Sequence, residues 1–448
     1  MSDKKITTRY APSPTGFQHV GGIRTALYAW AFARKNNGTF ILRIEDTDKG
    51  REVEGSIPHL IECLKWLGID WDEGVDIGGP HAPYIQSERL DSYKKYADIL
   101  IKKGLAYPDP FTEEQVAEFR AKAESEKRAF LYREHRPEKT ENWDGTKPLR
   151  FKVTEIKSYK WHDAVRGDLT AGEEALDDFI LIKSDGYPTY NFAHIIDDLE
   201  MGVTHIMRAD EFIASTPKFL SLYEALEINP PVFATLPPIL AEGGKKKLGK
   251  RDGAKDILDY RSEGYLPEAM LNFLAFLGWN PGGEQEILTK EEIIEKFSIE
   301  RIHHSGAMFN EEKLLWMNKE HIKRKTKEEQ FADIKPYMAD FSDDMLYKLL
   351  PSIIDRINVY GELTSVKESE FGFFIKKPVL EKERILFKDD SAHIAALHLE
   401  KVEHLLMDAD FSSVEEIKRT VMPYAEENGK GNVLWPLRMS LSGQERSV

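Results

Sequence analysis

The opening of the chain restricts most what it can fold into. Ile6 to Tyr10 reads as an extended strand, Pro12, Ser13, Pro14, Thr15 and Gly16 break it, and Gly22 to Lys35 is helical up to Gly38. A second strand, Phe40 to Ile44, follows at once. Helices predicted from Gly55 to Leu67 and from Ser87 to Lys103 stop at Gly68 and Gly104, where glycine can take the left-handed turn that ends a helix. Strands alternating with helices imply a parallel sheet covered by helices, an α/β fold.

From Phe111 the rhythm changes. Thr112 and Gln115 have the spacing of a capping box on a charged helix, and Leu149 to Val153 is strand-like. This stretch reads as an insertion into the first domain. The α/β rhythm is expected to resume at Phe179 to Ile182, a buried-strand candidate before the turn Ser184, Asp185 and Gly186, and to continue through His205 to Met207. After about residue 255 only helical periodicity is visible, at Leu266 to Leu277, Glu311 to Met317 and Met345 to Ile354. No internal repeat is found.

At 448 residues the chain is too long for one core, because domains usually hold on the order of 100 to 200 residues, so three or more units are expected. Its 41% hydrophobic and 31% charged residues are those of a soluble globular protein without low-complexity tracts. Met1 to Tyr10 is polar and runs straight into a strand, and apolar runs such as Leu271 to Leu277 are far too short to span a membrane. A cytoplasmic protein with no membrane partner is expected. The single cysteine, Cys63, leaves no internal disulfide and no multi-cysteine zinc site; among Leu60, Ile61, Leu64 and Leu67 it reads as a core thiol. A formal net charge of -15 argues against indiscriminate coating of nucleic acid, though not against a selective groove. Positive charge gathers at Lys245, Lys246, Lys247, Lys250 and Arg251, and at Lys323, Arg324, Lys325 and Lys327.

Two motifs carry chemistry. Ala11 to Gly22 (A-P-S-P-T-G-F-Q-H-V-G-G) sits where a strand hands over to a helix. Free N–H groups at a helix N-terminus bind anions, and glycines at 21 and 22 would let a nucleotide come close. Alone, the segment reads more readily as a strand-to-helix turn with a surface histidine. Lys246 to Gly253 (K-K-L-G-K-R-D-G) is a lysine-rich loop whose point charges could reach a triphosphate, although a charge run by itself is more often a solvated loop. No Walker phosphate loop occurs. Together the motifs make two halves of a nucleotide clamp with a sheet between them.

Four stretches in order, Arg9 to Gly22, Arg43 to Asp48, Lys183 to Tyr190 and Lys247 to Arg251, closely resemble the bacterial glutamyl-tRNA synthetases, class I aminoacyl-tRNA synthetases. The resemblance runs from Thr8 to the last residues, where Leu434 to Arg438, Ser442 and Gly443 are similar to the family's C-terminal region. It implies a Rossmann-like parallel-sheet catalytic domain (1–88 and 190–240) split by an α+β acceptor-stem-binding insertion (89–189), a stem-contact helical domain (241–323) and an all-helical anticodon-binding region (324–448). It implies ATP with Mg2+, L-glutamate and tRNA(Glu) as partners of a monomer. His19, Lys247 and Lys250 would be catalytic, stabilising the pentacovalent phosphate. Pro14, Gly16, His19, Gly21, Gly22, Lys247, Lys250 and Arg251 would bind ATP, and Arg9, Ser13, Glu45, Tyr190 and Arg208 would bind glutamate, the two arginines pairing with its carboxylates. Read on residues alone, Glu45 and Asp46 could cap a helix and Tyr190 could be core; His194, one turn after Tyr190, reads better as a core histidine. Arg356 corresponds to where the family reads the anticodon's third base, and equally fits a surface arginine.

Three departures stand out. Pro108, Asp109, Pro110 and Phe111 replace a cysteine-rich zinc knuckle carried by many members, so no metal is expected there; Gly249 replaces the second signature's usual serine; and Val448 falls short of the family's final helix, so that either the sequence stops early or the last domain is smaller. A sister enzyme that glutamylates a modified base, or a small-molecule adenylyltransferase, would have no use for the helical stretch beyond about residue 324. A non-catalytic RNA-binding relative would be expected to lose His19, Lys247 or Lys250, and all three are present.

Overall fold

The computed structural model describes residues 5–249 and 255–445. The chain forms two units, residues 1–262 with 266–317, and residues 263–265 with 318–448.

In the first unit the strand Thr7–Tyr10 pairs in parallel with Thr39–Leu42, which pairs with the short strand Glu73–Gly74. A second sheet carries Gly167–Ala171, Tyr159–Asp163, Val232–Leu236 and His205–Ala209 in that order. The two meet where Thr204 donates its N–H to the Thr7 carbonyl at 2.9 Å and accepts the Thr7 N–H on Oγ1 at 2.9 Å. The helix Val20–Lys35 begins ahead of the predicted Gly22, because His19 caps it: its Nδ1 accepts the Gly21 N–H at 3.1 Å. Ala26, Ala29, Ala31 and Ala33 are fully buried, small side chains that let the helix pack closely. At its end Gly38 has a negative φ but no room: a Cβ would stand 2.5 Å from the Ile6 carbonyl oxygen.

Phe179–Ile182 forms as expected, but not in the parallel sheet. It pairs antiparallel with Leu149–Phe151, which pairs antiparallel with Ala106–Pro108. The strand therefore belongs with the inserted segment, and the parallel rhythm resumes with the helix Tyr190–Glu200 and the strand His205–Ala209. A four-residue apolar run fixes burial and says nothing about direction, which is why the reading of rhythm put it in the parallel sheet although the expected insertion, 89–189, encloses it. The capping box at Thr112 and Gln115 forms in both directions. Where a zinc knuckle would stand, Asp109 accepts from the Arg150 guanidinium at 2.6 Å, with that guanidinium 3.4 Å over the Tyr132 ring.

The expectation of helix alone after residue 255 is also corrected. Ala307–Met308 pairs in parallel with Ile239–Leu240, fastening the segment just upstream of the lysine-rich loop. A two-residue strand carries too little alternation to register in the sequence.

The second unit contains no strand among its described residues. Its helix Asp343–Arg356 buries Leu346, Leu350, Ile353 and Ile354, a stripe at spacings of three and four, and Ser342 caps its start. Further along, Val402, Val421, Ala425 and Val433 form a small core among the helices Ala392–Met407, Val414–Asn428 and Lys430–Ser442. Among the described residues no helix is long and apolar enough to cross a membrane.

Candidate active site

A cavity of about 520 Å³ opens at the ends of Thr7–Tyr10 and His205–Ala209, beside the turn of residues 11–19. Of the residues singled out by sequence, Arg9, Ser13, Gly16, His19, Gly22, Glu45, Tyr190 and Arg208 line it. Pro14 and Gly21 support its wall. The Pro14 carbonyl accepts from the Val53 N–H at 2.9 Å and the Ser56 hydroxyl at 3.1 Å, and Gly21 supplies the N–H that His19 accepts. Gly22 is glycine for a reason the sequence did not reveal: a Cβ would stand 2.7 Å from the Tyr10 hydroxyl and 2.8 Å from Gln18 Oε1, two groups hydrogen-bonded to each other at 2.7 Å.

Lys247 is absent from the wall, but its Nζ pairs at 2.5 Å with Glu211, which is part of it. Both partners are exposed. Lys250 and Arg251 lie outside the described residues. Arg356, in the other unit, closes the last turn of its helix and pairs with Glu370 at 3.2 Å.

Beneath the cavity lies a frame of buried charge. Arg43, wholly buried, stands 2.8 Å from Asp198, 3.0 Å from Glu45 and 3.7 Å from Asp197. Asp198 also binds Arg9 at 3.1 Å, while Asp197 accepts from Arg89 at 2.8 Å, Gln86 at 2.8 Å and the Tyr93 hydroxyl at 3.0 Å. Strand register aims these groups: the Arg43 N–H bonds the Tyr10 carbonyl, and the Glu45 N–H bonds that of Pro12. Burial alone would raise the pKa of Asp198, but Arg9 and Arg43 outweigh it and hold the carboxyl at about 2. For Glu45 burial wins, and its pKa rises despite the opposing pull of Arg43 and Arg9.

Arg208 is the exception within this frame. It is 4% exposed, its Nη2 donates to Thr216 Oγ1 at 2.9 Å, and its Nε and Nη1 have no hydrogen-bond partner among the described residues. Its guanidinium faces the rings of Phe233, Phe219 and Phe212 at 4.7, 5.0 and 5.7 Å, and burial lowers its pKa. A buried cation with two idle donors costs free energy until an anion arrives, and the planar fork of a guanidinium suits a carboxylate. Tyr190 stands above the frame with its pKa raised, chiefly by burial. His194 is fully buried behind Tyr190, its ring stacked at 4.5 Å and its Nδ1 2.6 Å from the Tyr190 carbonyl; burial lowers its pKa to about 3. It is a core histidine, as the sequence favoured.

Sequence reasoning missed Arg43 as the hub, together with Asp197, Asp198 and Arg89. The signal was present: Arg43 interrupts the apolar run Phe40 to Ile44, and Asp197 and Asp198 follow the apolar Phe192 to Ile196. Charges inside apolar runs are either paired or functional.

One cluster among the described residues brings metal-binding donors together: His59, Cys63 and Asp256 offer atoms within 4.8 Å of one another. The His59 ring nitrogen is already bonded to Asp256 at 2.8 Å, and burial raises the pKa of the Cys63 thiol, so these groups are satisfied without a cation.

A parallel sheet whose strand-to-helix turn flanks an anion-ready cavity, with a lysine loop at its rim, defines a nucleotide-dependent enzyme of the synthetase class. Residues 5–316 match the family described as tRNA synthetases class I (E and Q), catalytic domain, and residues 329–448 match the anticodon binding domain. The chain belongs to this family. It is 41% identical to the glutamate–tRNA ligase of Carboxydothermus hydrogenoformans over 98% of this chain and 94% of that one. It is 40% identical to glutamate–tRNA ligase 1 of Fervidobacterium nodosum, again over 98% and 94%. The crystal structure of a glutamate tRNA ligase from Elizabethkingia meningosepticum, in complex with its amino acid, superposes with a TM-score of 0.87 at 36% identity, covering 99% of this chain and 94% of that one.

Proposed function

We propose that the chain is a glutamate–tRNA ligase, which activates L-glutamate with ATP and transfers it to the terminal adenosine of tRNA(Glu). The observation that carries the substrate reading is Arg208, a buried guanidinium that lines a cavity shared with Arg9, Glu45 and Tyr190 and whose Nε and Nη1 have no hydrogen-bond partner among the described residues. A carboxylate there would meet Arg208, and the frame that fixes Arg9 through Asp198 keeps a second cation in place. Glu45 and Tyr190 would serve the ammonium group, with Ser13 at the mouth.

In the first step a glutamate carboxylate oxygen attacks the α-phosphate of ATP and pyrophosphate leaves. In the second, a hydroxyl of the terminal ribose attacks the activated carbonyl and AMP leaves. Neither needs a protein nucleophile, so positioning and charge stabilisation supply the rate. Because His19 Nδ1 accepts from Gly21, the neutral ring carries its proton on Nε2, the form that donates to a phosphate oxygen. Gly16, Gly21 and Gly22 with Pro14 would cradle the nucleotide at the start of the helix, and Lys247, Lys250 and Arg251 would neutralise the triphosphate. Mg2+ would travel on the phosphates: the cavity's own carboxylates, Glu45 and Glu211, are already paired with Arg43 and Lys247.

The domain reading follows the same logic. Residues 89–189 would hold the acceptor stem, 241–323 would contact the stem, and 324–448, carrying Arg356, would read the anticodon. A cytoplasmic monomer is the form expected. The test is aminoacylation with purified tRNA(Glu) and tRNA(Gln), offering glutamate or glutamine. Charging of tRNA(Glu) with glutamate is expected; charging with glutamine in its place sinks the substrate assignment.

A further inference from the structure

His59 belongs to neither nucleotide signature, yet it touches the first and the segment that follows the second. It lies on the helix Ser56–Trp66, and its ring stacks on Phe17 of the first signature at 4.5 Å and 25°. Its Nδ1 is 3.5 Å from the Gln18 N–H, at the limit of a hydrogen bond. Its Nε2 is 2.8 Å from the carboxylate of Asp256, which stands just beyond the second signature. Cys63, one helical turn on, packs its sulfur 3.6 Å from the same ring.

Asp256 is held twice more. Its backbone forms an antiparallel bridge with His19, continued where the Ile257 N–H bonds the Gln18 carbonyl at 3.1 Å. Its carboxylate also accepts the Leu258 N–H at 2.9 Å, ending the incoming loop against the helix Ile257–Ser262. At the other end of the loop the Leu248 N–H bonds the Ile239 carbonyl at 2.7 Å, within the strand tied to Ala307–Met308. The upstream stem is thus secured by a backbone ladder. The downstream stem is secured to the His19 turn, and the side chain that clamps it comes from a third element.

We propose that His59 and Asp256 form a positioning latch that fixes the downstream stem of the lysine loop to the turn bearing His19, so that both halves of the clamp meet one triphosphate. The inference rests on the ligase reading above. Its physical basis is that two groups acting on one phosphate lose rate steeply when their mutual geometry loosens, and a prepaid constraint removes that loss. His59 touches no substrate and acts through Asp256 and Phe17. Nothing in the latch bears on the glutamate end of the cavity, where Arg208 and Tyr190 are held by other elements.

The test is steady-state kinetics of the full-length enzyme with saturating transfer RNA. H59A and D256A are each expected to lower kcat/KM for ATP by about tenfold or more, while KM for glutamate stays within about twofold. H59Q can still place a donor near Asp256, and D256N can still accept from His59 and from Leu258, so both should recover most of the loss. The double variant H59A/D256A should lose less than the sum of the two single losses, because the His59–Asp256 bond is removed in all three. Unchanged ATP kinetics in H59A overturns the latch. So does an equal rise in glutamate and ATP KM without rescue by glutamine at 59, which would make His59 a folding residue. A wild-type enzyme that charges no transfer RNA sinks the ligase reading; titration with a non-hydrolysable ATP analogue then decides the latch by itself, which requires at least about fivefold weaker binding in H59A than in wild type.

Discussion

The frame beneath the cavity and the loop at its rim spend charge in opposite ways. Around Arg43 every partner is buried, each carboxylate serves at least one guanidinium, and the strand ends fix the geometry. At the rim, Lys247 meets Glu211 with both side chains more than half exposed. Pairs of the second kind contribute about 0 to 1 kcal/mol, whereas breaking one of the first kind costs about 3 to 5 kcal/mol. Selection of a charged substrate belongs in the first environment, where a guanidinium such as Arg208 can be left idle and still be held in place. Contact with a nucleotide that enters and leaves belongs in the second.

The comparison breaks most directly at Asp198. Asp198→Ala takes the carboxylate from Arg9 and leaves Arg43 only Glu45 and Asp197, and urea denaturation should show a loss of about 3 to 5 kcal/mol. A loss below about 1 kcal/mol would mean the frame is not what fixes the cavity. Arg208→Ala tests the opposite case, since among the described residues Arg208 has no carboxylate partner to strand. It should cut kcat/KM for glutamate by an amount equivalent to about 2 to 5 kcal/mol, with KM for ATP nearly unchanged and thermal stability equal to wild type or higher. Equal damage to both substrates would make Arg208 structural.

Acid sharpens the contrast. His194 is fully buried with its pKa depressed to about 3 from 6.5, so below pH 6.5 the unfolded chain takes up a proton that the folded one refuses. Stability is therefore lost as pH falls from 6.5 toward 3, with a slope approaching about 1.4 kcal/mol per pH unit for the one proton. His194→Leu should flatten that slope in a series of denaturant titrations across this range; an unaltered slope would place the acid sensitivity elsewhere. Asp198 adds its own loss only lower, as pH falls below 3.8 toward about 2.

The smallest effects are expected at the rim. Glu211→Gln should change stability by less than about 1 kcal/mol. Gly249→Ser should alter kcat/KM for ATP by less than about tenfold, because both the entropy a side chain removes and one added hydrogen bond are worth about 1 kcal/mol or less. A dead serine variant would show that position 249 works through close packing.

Motif order and spacing made the family and the parallel core legible, and eight of the residues they named line one cavity. The helix stripe at Leu346, Leu350 and Ile353 and the capping box at Thr112 were readable because each depends on neighbours a few positions away. Phe179–Ile182 was readable as a strand but not as an antiparallel one, and Ala307–Met308 was not readable at all.

What the sequence determined by itself was local: where strands hand over to helices, which turns leave N–H groups free, and which residue types stand ready for phosphate and carboxylate. What the tertiary structure alone decided was pairing at long range. Arg43 finds Asp198, His59 finds Asp256, and Gly22 turns out to make room for Tyr10 and Gln18. A side chain's charge and size are written at its own position, but its partner is chosen by register and packing between elements far apart in the chain, which no local pattern encodes.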